Sequence, residues 1–148
     1  MKNLFLILLL LSVTALFSQT QQFNGTWTKV NTTYEFEFDL ILEVKTSNRV
    51  EGYFIWKLVR SDENNTLSKQ YYEKKMGMTG KEYVKGTYHS ASGEYILRGY
   101  KKQDPNAIIG MDTYHLKLGE NGDIGGTTNA NGTWLGRIKG KQVRIDLL

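Results

Sequence analysis

The tryptophans are the residues of this sequence whose chemistry is easiest to place. Trp27, Trp56 and Trp134 each fall on the apolar face of a segment in which apolar and polar residues alternate. Large aromatic faces that converge inside a β domain can hold an apolar or planar ligand, or they can fill an ordinary core. Together with Tyr114 and an apolar run after residue 107, they form the set of candidate ligand-binding residues. This set is Trp27, Trp56, Ile108, Ile109, Met111, Tyr114 and Trp134.

The segment from Lys101 to Met111 combines turn residues with that apolar run. Asp104-Pro105-Asn106 is typical of a turn, and Ile108-Ile109-Gly110-Met111 follows without the alternation of a strand. An irregular apolar segment must be buried under the domain, cover an opening or meet a partner. We expect this segment to cap one end of a barrel.

Catalysis and metal binding find little support in the sequence. There is no Cys, and the two histidines, His89 and His115, are predicted to face outward without a third ligand. Ser92 lies close to His89, but neighbours on one hairpin rarely form an oriented nucleophile and base. Glu82 and Glu94 could face each other across a hairpin, yet nothing indicates that they are buried. The sequence therefore predicts a non-enzymatic protein with no catalytic residues, no metal site and no cofactor.

Alternation with a period of two is the main structural signal. From Tyr34 to Val44 apolar residues occupy every second position, and charged residues occupy most of the others. This pattern is typical of a strand with one buried face, and its length predicts a bend or bulge. The charged face excludes a barrel that faces lipid.

Further strands with short connections are predicted along the rest of the chain. They cover 49–60, 68–76, 82–89, 93–101, 112–118, 124–128, 133–139 and 143–147. Asn121-Gly122 and Gly140-Lys141 are interpreted as tight turns. The motif Asn-Gly-Thr-Trp occurs at 24–27 and at 131–134, and each copy is interpreted as a turn followed by a strand. The predicted fold is all-β, a single antiparallel up-and-down barrel of about 8–10 strands in which Trp27 and Trp134 share one core.

The beginning of the chain has the features of a secretory signal. Lys2 precedes an unbroken apolar run from Leu4 to Leu11, which is too short to span a bilayer, and small residues follow up to Ser18. We expect residues 1–18 to be a cleaved signal peptide, similar to those of Gram-negative bacteria, and residues 23–148 to form the barrel domain. The protein is then secreted or periplasmic, with no membrane span in the mature chain. Acidic and basic residues are mixed at a net charge of +4, which does not favour a nucleic-acid partner.

Several short sequence motifs resemble those of the calycins, the lipocalin and avidin group of secreted up-and-down barrels. Gly25-Thr26-Trp27 is similar to the Gly-x-Trp of their first strand, and Gly86-Thr87-Tyr88 and Thr133-Trp134-Leu135-Gly136 are similar to later avidin strands. The resemblance implies a calycin-like barrel that binds a small apolar molecule. In lipocalins the Trp packs across the closed end and is often covered by an Arg, a place that Arg137 or Arg144 would fill.

A second resemblance implies a protein partner instead. Ala91-Ser92-Gly93-Glu94-Tyr95 is similar to a loop of bacterial periplasmic lysozyme inhibitors. It implies a partner-binding surface made of Ser92, Gly93, Tyr95, Lys101 and Lys102. The first functional hypothesis is therefore a secreted, lipocalin-like, non-catalytic binding module for a small apolar ligand. A protein-binding barrel that inhibits an enzyme is the alternative, and a purely structural role is the third.

Overall fold

A closed barrel forms the part of the chain that the structure, a computed structural model, describes, namely residues 18–130 and 134–143. Each of its eight antiparallel strands pairs with its neighbours in sequence, and β1 pairs with β8 to close the sheet. The strands are β1 (Gln19–Lys29), β2 (Glu35–Val44), β3 (Arg49–Arg60), β4 (Thr79–His89), β5 (Glu94–Gln103), β6 (Thr113–Leu118), β7 (Asp123–Ala130) and β8 (Trp134–Gln142). The prediction of an all-β up-and-down barrel is confirmed.

β2 shows how the alternating pattern makes the wall of the barrel. Phe36, Phe38 and Leu40 point inward and are at most 5% exposed, whereas the acidic residues between them face solvent. A shift in the pairing of β2 with β3 falls between Glu35 and Phe36 and supplies the irregularity that the length of this segment predicts. Burying one face in this way fixes which side of every strand is available to line the interior.

Two of the predicted turns, both containing glycine, are wrong. Asn24-Gly25 lies inside β1 and Gly140-Lys141 lies inside β8, where Gly25 and Gly140 pair with each other. A Cβ atom on Gly25 would lie 2.1 Å from the carbonyl oxygen of Lys139, so glycine is needed here for the close approach of two strands. Three predicted segments lie outside the described residues: 1–17 of the signal peptide, Asn131-Gly132-Thr133, and all but the first residue of the strand predicted at 143–147. β1 begins at Gln19, earlier than the domain start predicted at residue 23.

The strand predicted at 68–76 is also wrong, because a helix, α1 (Thr66–Glu73), connects β3 to β4. The side chain of Asn65 caps it by accepting a hydrogen bond from the Ser68 amide at 3.0 Å. Tyr72 packs edge-on against Tyr34, with ring centroids 5.2 Å apart. β3 and β4 pair directly with each other, which leaves no ladder for an additional strand between them. Among the described residues, no helix is long and apolar enough to cross a membrane.

The two ends of the barrel differ. At the end that carries the connections 45–48, 90–93 and 119–122, which we call the sealed end, side chains fill the interior. There the buried Tyr95 donates a hydrogen bond to Gln21 and stacks on Tyr88 at a centroid distance of 4.3 Å. The opposite end, which we call the mouth, carries the connections 30–34, 61–78 and 104–112. α1 and the 104–112 loop therefore lie at the same end of the barrel.

Candidate ligand-binding cavity

A cavity of about 360 Å³ lies inside the mouth. The strands supply its walls, and Tyr72 of α1 and residues 107–112 of the loop between β5 and β6 lie around it. The structure brings all seven candidate ligand-binding residues to this cavity, namely Trp27, Trp56, Ile108, Ile109, Met111, Tyr114 and Trp134. Phe36, Tyr72, Glu82 and Asp112, which were not among the candidates, also line it. Its volume falls in the range of sites that bind small molecules.

One wall of the cavity is a pair of indoles from the first and last strands. Trp27 and Trp134 stack with their centroids 6.5 Å apart and their planes 19° from parallel, which confirms that they share one core. Trp27 Nε1 donates a hydrogen bond of 2.7 Å to Thr128 Oγ1, so the orientation of its indole is fixed. A Cβ atom on Gly136 would lie 2.0 Å from the same nitrogen. The missing side chain of Gly136 therefore makes room for the Trp27 ring.

A second wall contains Trp56 and Tyr114, which are the outer rings of a stack of three. Phe54 lies between Trp56 and Tyr114, with centroid distances of 4.6 Å and 4.8 Å. The polar atoms of the two outer rings converge on one carboxylate. Trp56 Nε1 donates to Glu82 Oε2 at 3.2 Å, and the hydroxyl of Tyr114 donates to the same oxygen. Such donors are needed because buried polar atoms without partners are costly.

Glu82 is the buried acid of the cavity, with only 2% of its surface exposed. Its other oxygen, Oε1, accepts a hydrogen bond of 2.9 Å from the backbone amide of Asp112. A Cβ atom on Gly99 would lie 2.0 Å from this oxygen, so the neighbouring strand leaves space for the carboxylate. Burial raises the pKa of Glu82 to about 7, although the hydrogen bonds from Tyr114, Asp112 and Trp56 oppose the shift.

Asp112 places a second carboxylate beside the first. Burial raises its pKa to about 6, and a hydrogen bond with Thr128 opposes this shift. Asp112 is less buried than Glu82, and it lines the cavity directly. Because Thr128 also accepts from Trp27, the acids and the indole wall belong to one hydrogen-bond network. The cavity thus combines aromatic walls with two neighbouring carboxyl groups.

The pairing of Glu82 with Glu94 that the sequence suggested is wrong. Glu94 is exposed and pairs with His89 near the sealed end, whereas Glu82 pairs with Lys102 near the mouth. One signal for Glu82 was present in the sequence, since it takes the inward position between Gly80 and Val84 in the alternation of β4. The space beside Gly99 that accommodates its carboxylate depends on the pairing of β4 with β5.

The 104–112 loop is held across the mouth by an acid of its own. Asp104, whose side chain is 1% exposed, accepts hydrogen bonds of 3.0 Å from the amides of Ile108 and Ile109. Lys102 Nζ donates to the carbonyl oxygen of Ile109 at 2.6 Å. Ile108 is buried, and Met111 is 46% exposed at the rim. The apolar run thus covers part of the opening, as expected for a cap.

The residues of the proposed partner surface do not lie together. Ser92 and Gly93 are in the turn at the sealed end, whereas Lys101 and Lys102 are at the mouth end of β5. Tyr95 is fully buried in the interior, so it cannot belong to a partner surface. For the lipocalin resemblance, Arg137 is exposed on β8 and pairs with Thr28, so it does not cover Trp27. Arg144 lies outside the described residues.

Among the residues that the structure describes, no group of three or more His, Asp or Glu side chains could hold a metal ion. No protein-family model, no curated protein and no solved structure matches this sequence. The barrel topology alone does not establish a relationship with lipocalins or avidins, which stays a prediction. The functional argument is therefore built on the chemistry of the cavity.

Proposed function

We propose that this protein is an exported, non-catalytic binding protein that holds a small ligand with a planar apolar body in the mouth cavity. The observation that carries the proposal is the cavity of about 360 Å³ with six aromatic side chains in its lining. Aromatic residues that only filled a core would leave no space of this size, as at the sealed end, where Tyr88 and Tyr95 occupy the interior. Export is inferred from the apolar run Leu4 to Leu11.

The arrangement of the acids favours binding over catalysis. The carboxylate of Glu82 already accepts hydrogen bonds from three protein donors, which hold it in place. A general acid or base must instead exchange its proton with the substrate. The described lining contains no Ser, Cys, His or Lys to act as a nucleophile. This supports a site that recognises a ligand and releases it unchanged.

Intrinsic fluorescence offers a direct test, because all three tryptophans of the sequence line the cavity. A bound ligand should change the whole tryptophan signal, with no contribution from a remote indole. We expect naphthylethanol, a neutral planar probe, to give a saturable change in emission and a matching heat of binding by titration calorimetry. Flavins, haem and fatty acids, tested in the same way, would define the size of ligand that the cavity accepts.

A matched pair of variants separates the cavity from the outer surface. Trp134→Leu removes one aromatic wall and should weaken naphthylethanol binding by roughly 2- to 10-fold, the usual value of an aromatic contact. Tyr100→Leu removes an exposed aromatic of β5 and should leave binding unchanged. If the folded protein binds none of the probes, or if both variants bind like the parent, the proposed function is wrong.

A further inference from the structure

The charge of the cavity restricts the chemistry of its ligand further than its shape does. Of the lining residues that the structure describes, only Glu82 and Asp112 carry charge, and both are acids. They lie next to each other, since the backbone amide of Asp112 donates to Glu82. A pair of acids alone would not define a site. Here the pair faces a space of ligand size that is walled by indoles, which is an independent indication of a ligand.

The negative charge of the two acids is not balanced by the protein. The donors to Glu82 are an indole, a phenol and a backbone amide, all of them neutral. Within the described ranges, none of the ion pairs includes Glu82 or Asp112. A buried charge without a counter-ion is unfavourable, and a cationic group inside the cavity would supply the missing partner.

The aromatic walls suit the same kind of group. A cation close to the face of an indole is attracted by the π electrons of the ring, most strongly where water is excluded. Trp134 already interacts in this way with Lys29, whose Nζ lies 4.1 Å from its centroid. Lys29 does not line the cavity, so this cation does not neutralise the acids inside. The indoles and the carboxylates therefore favour the same ligand charge.

We propose that the cavity selects a ligand whose planar apolar body carries a protonated amine. Asp112, the more accessible acid, contacts the amine, and Glu82 adds negative charge from behind it. Trp27, Trp56 and Trp134 hold the planar body. This inference rests on the proposed function, because it identifies the class of ligand that the same cavity binds.

Proton binding by the two acids should make the recognition depend on pH. Glu82 faces the cavity from β4 and Asp112 faces it from the loop before β6, and burial raises their pKa values to about 7 and about 6. Of the groups packed against them, Trp56, Thr128 and Tyr114 carry no charge in this range, and the pKa of Tyr114 is raised well above its ordinary value. At the rim, Lys75 lies over Tyr71 and Tyr72, and Lys102 pairs with Asp104. An amine should therefore bind more tightly as pH rises from 5 to 8, while the acids lose their protons.

Three probes with the same ring and different charges test the inference by titration calorimetry. Naphthylethylamine is cationic, naphthylethanol is neutral and naphthylacetate is anionic. At pH 8 we expect the amine to bind at least about tenfold more tightly than the alcohol, as one charge-assisted hydrogen bond would give. The anion should bind more weakly than the alcohol. At pH 5 the preference for the amine should fall to within about threefold, because the acids are then protonated.

Variants assign the preference to particular carboxylates. Asp112→Asn and Glu82→Gln should each lower the affinity for the amine by about fivefold or more, with little change for the alcohol. Glu37→Gln, which removes an exposed acid of β2, should change neither affinity. Tryptophan emission and circular dichroism of each variant would show that the barrel is intact.

The outcomes separate this inference from the function on which it depends. If the alcohol binds and the amine binds no more tightly, the amine inference is wrong while the binding function stands. Tighter binding of the anion would also overturn the inference, and would show that the lysines at the rim determine the charge preference. If none of the three probes binds to the folded protein, both proposals fail.

Discussion

Replacing Glu82 by Gln should remove the pH dependence that this carboxyl gives to the free energy of unfolding. Burial raises the pKa of Glu82 from 4.5 in an unfolded chain to about 7 in the barrel. Between these values the folded protein keeps the proton and the unfolded chain loses it. The free energy of unfolding therefore falls as pH rises, and the stabilisation that is complete below pH 4.5 is lost as pH passes through about 7.

The size of the effect follows from the same two values. Each pH unit between them corresponds to about 1.4 kcal/mol, which gives roughly 3 kcal/mol in total. About 2.5 kcal/mol of this falls between pH 5 and pH 8. In Glu82→Gln this contribution should disappear. Asp112, whose pKa is raised to about 6, should leave a smaller slope in the same direction.

The side-chain amide introduced by Glu82→Gln also lowers the free energy of unfolding, by an amount that does not change with pH. The carboxylate accepts from donors at both oxygens, Trp56 and Tyr114 at one and the Asp112 amide at the other. A Gln side chain has only one oxygen, so its NH₂ group must face one of these donors. Leaving a buried donor unpaired costs about 1–3 kcal/mol at every pH. The slope, rather than the stability at one pH, is therefore the quantity to compare.

Urea unfolding at pH 5, 6, 7 and 8, followed by tryptophan emission and circular dichroism, measures that slope. Between pH 5 and pH 8 the free energy of unfolding of the parent protein should fall by about 2.5 kcal/mol more than that of Glu82→Gln. Glu37→Gln, on the exposed face of β2, should keep the slope of the parent. If Glu82→Gln and the parent show equal slopes, Glu82 does not titrate as a buried acid and the electrostatic account of the cavity is refuted.

Two further predictions concern how the cavity is built. Gly136→Ala places a Cβ atom 2.0 Å from Trp27 Nε1 and should lower the free energy of unfolding by about 1–3 kcal/mol. Gly125→Ala is its control, because a Cβ atom there would lie 3.4 Å from the nearest atom, the carbonyl oxygen of Ile138. Equal losses of unfolding free energy in urea would contradict the packing argument. Asp104→Ala removes the acceptor for the amides of Ile108 and Ile109 and should speed their hydrogen exchange at least about tenfold. Unchanged exchange at these two amides would show that Asp104 does not hold the loop.

The strands were the predictable part of the fold. The strand predicted at 49–60 has the bounds of β3, and Tyr34 to Val44 differs from β2 by one residue. Alternation identifies such segments because burial of one face fixes the direction of every side chain. The strand predicted at 68–76 is wrong because the capping of α1 by Asn65 and the contact of Tyr72 with Tyr34 decide the structure of this segment. The second of these is a tertiary contact that no local pattern contains.

For a related reason, the sequence alone does not show whether a glycine marks a turn or a close approach of two strands. Gly25 and Gly140 follow patterns that also mark turns, yet both serve the close approach of β1 and β8. The aromatic half of the cavity was predictable because its residues obey the rule that apolar side chains point inward. The acidic half was harder to predict: the alternation of β4 places Glu82 on the inward face, but a charged residue in a strand normally faces solvent. Glu82 points inward because Gly99, on the next strand, leaves room for it.

The pairing of β1 with β8 has a consequence for the order of folding. The hydrogen bond between Trp27 and Thr128 joins residues 101 positions apart, and the stack of Trp27 on Trp134 spans a still longer stretch of chain. Contacts of such long sequence separation form slowly, because the intervening chain must be ordered first. The indole wall is therefore complete only when β8 closes the barrel. A chain whose last strand is not yet in place lacks this wall, so the proposed ligand can bind only after β8 has paired with β1.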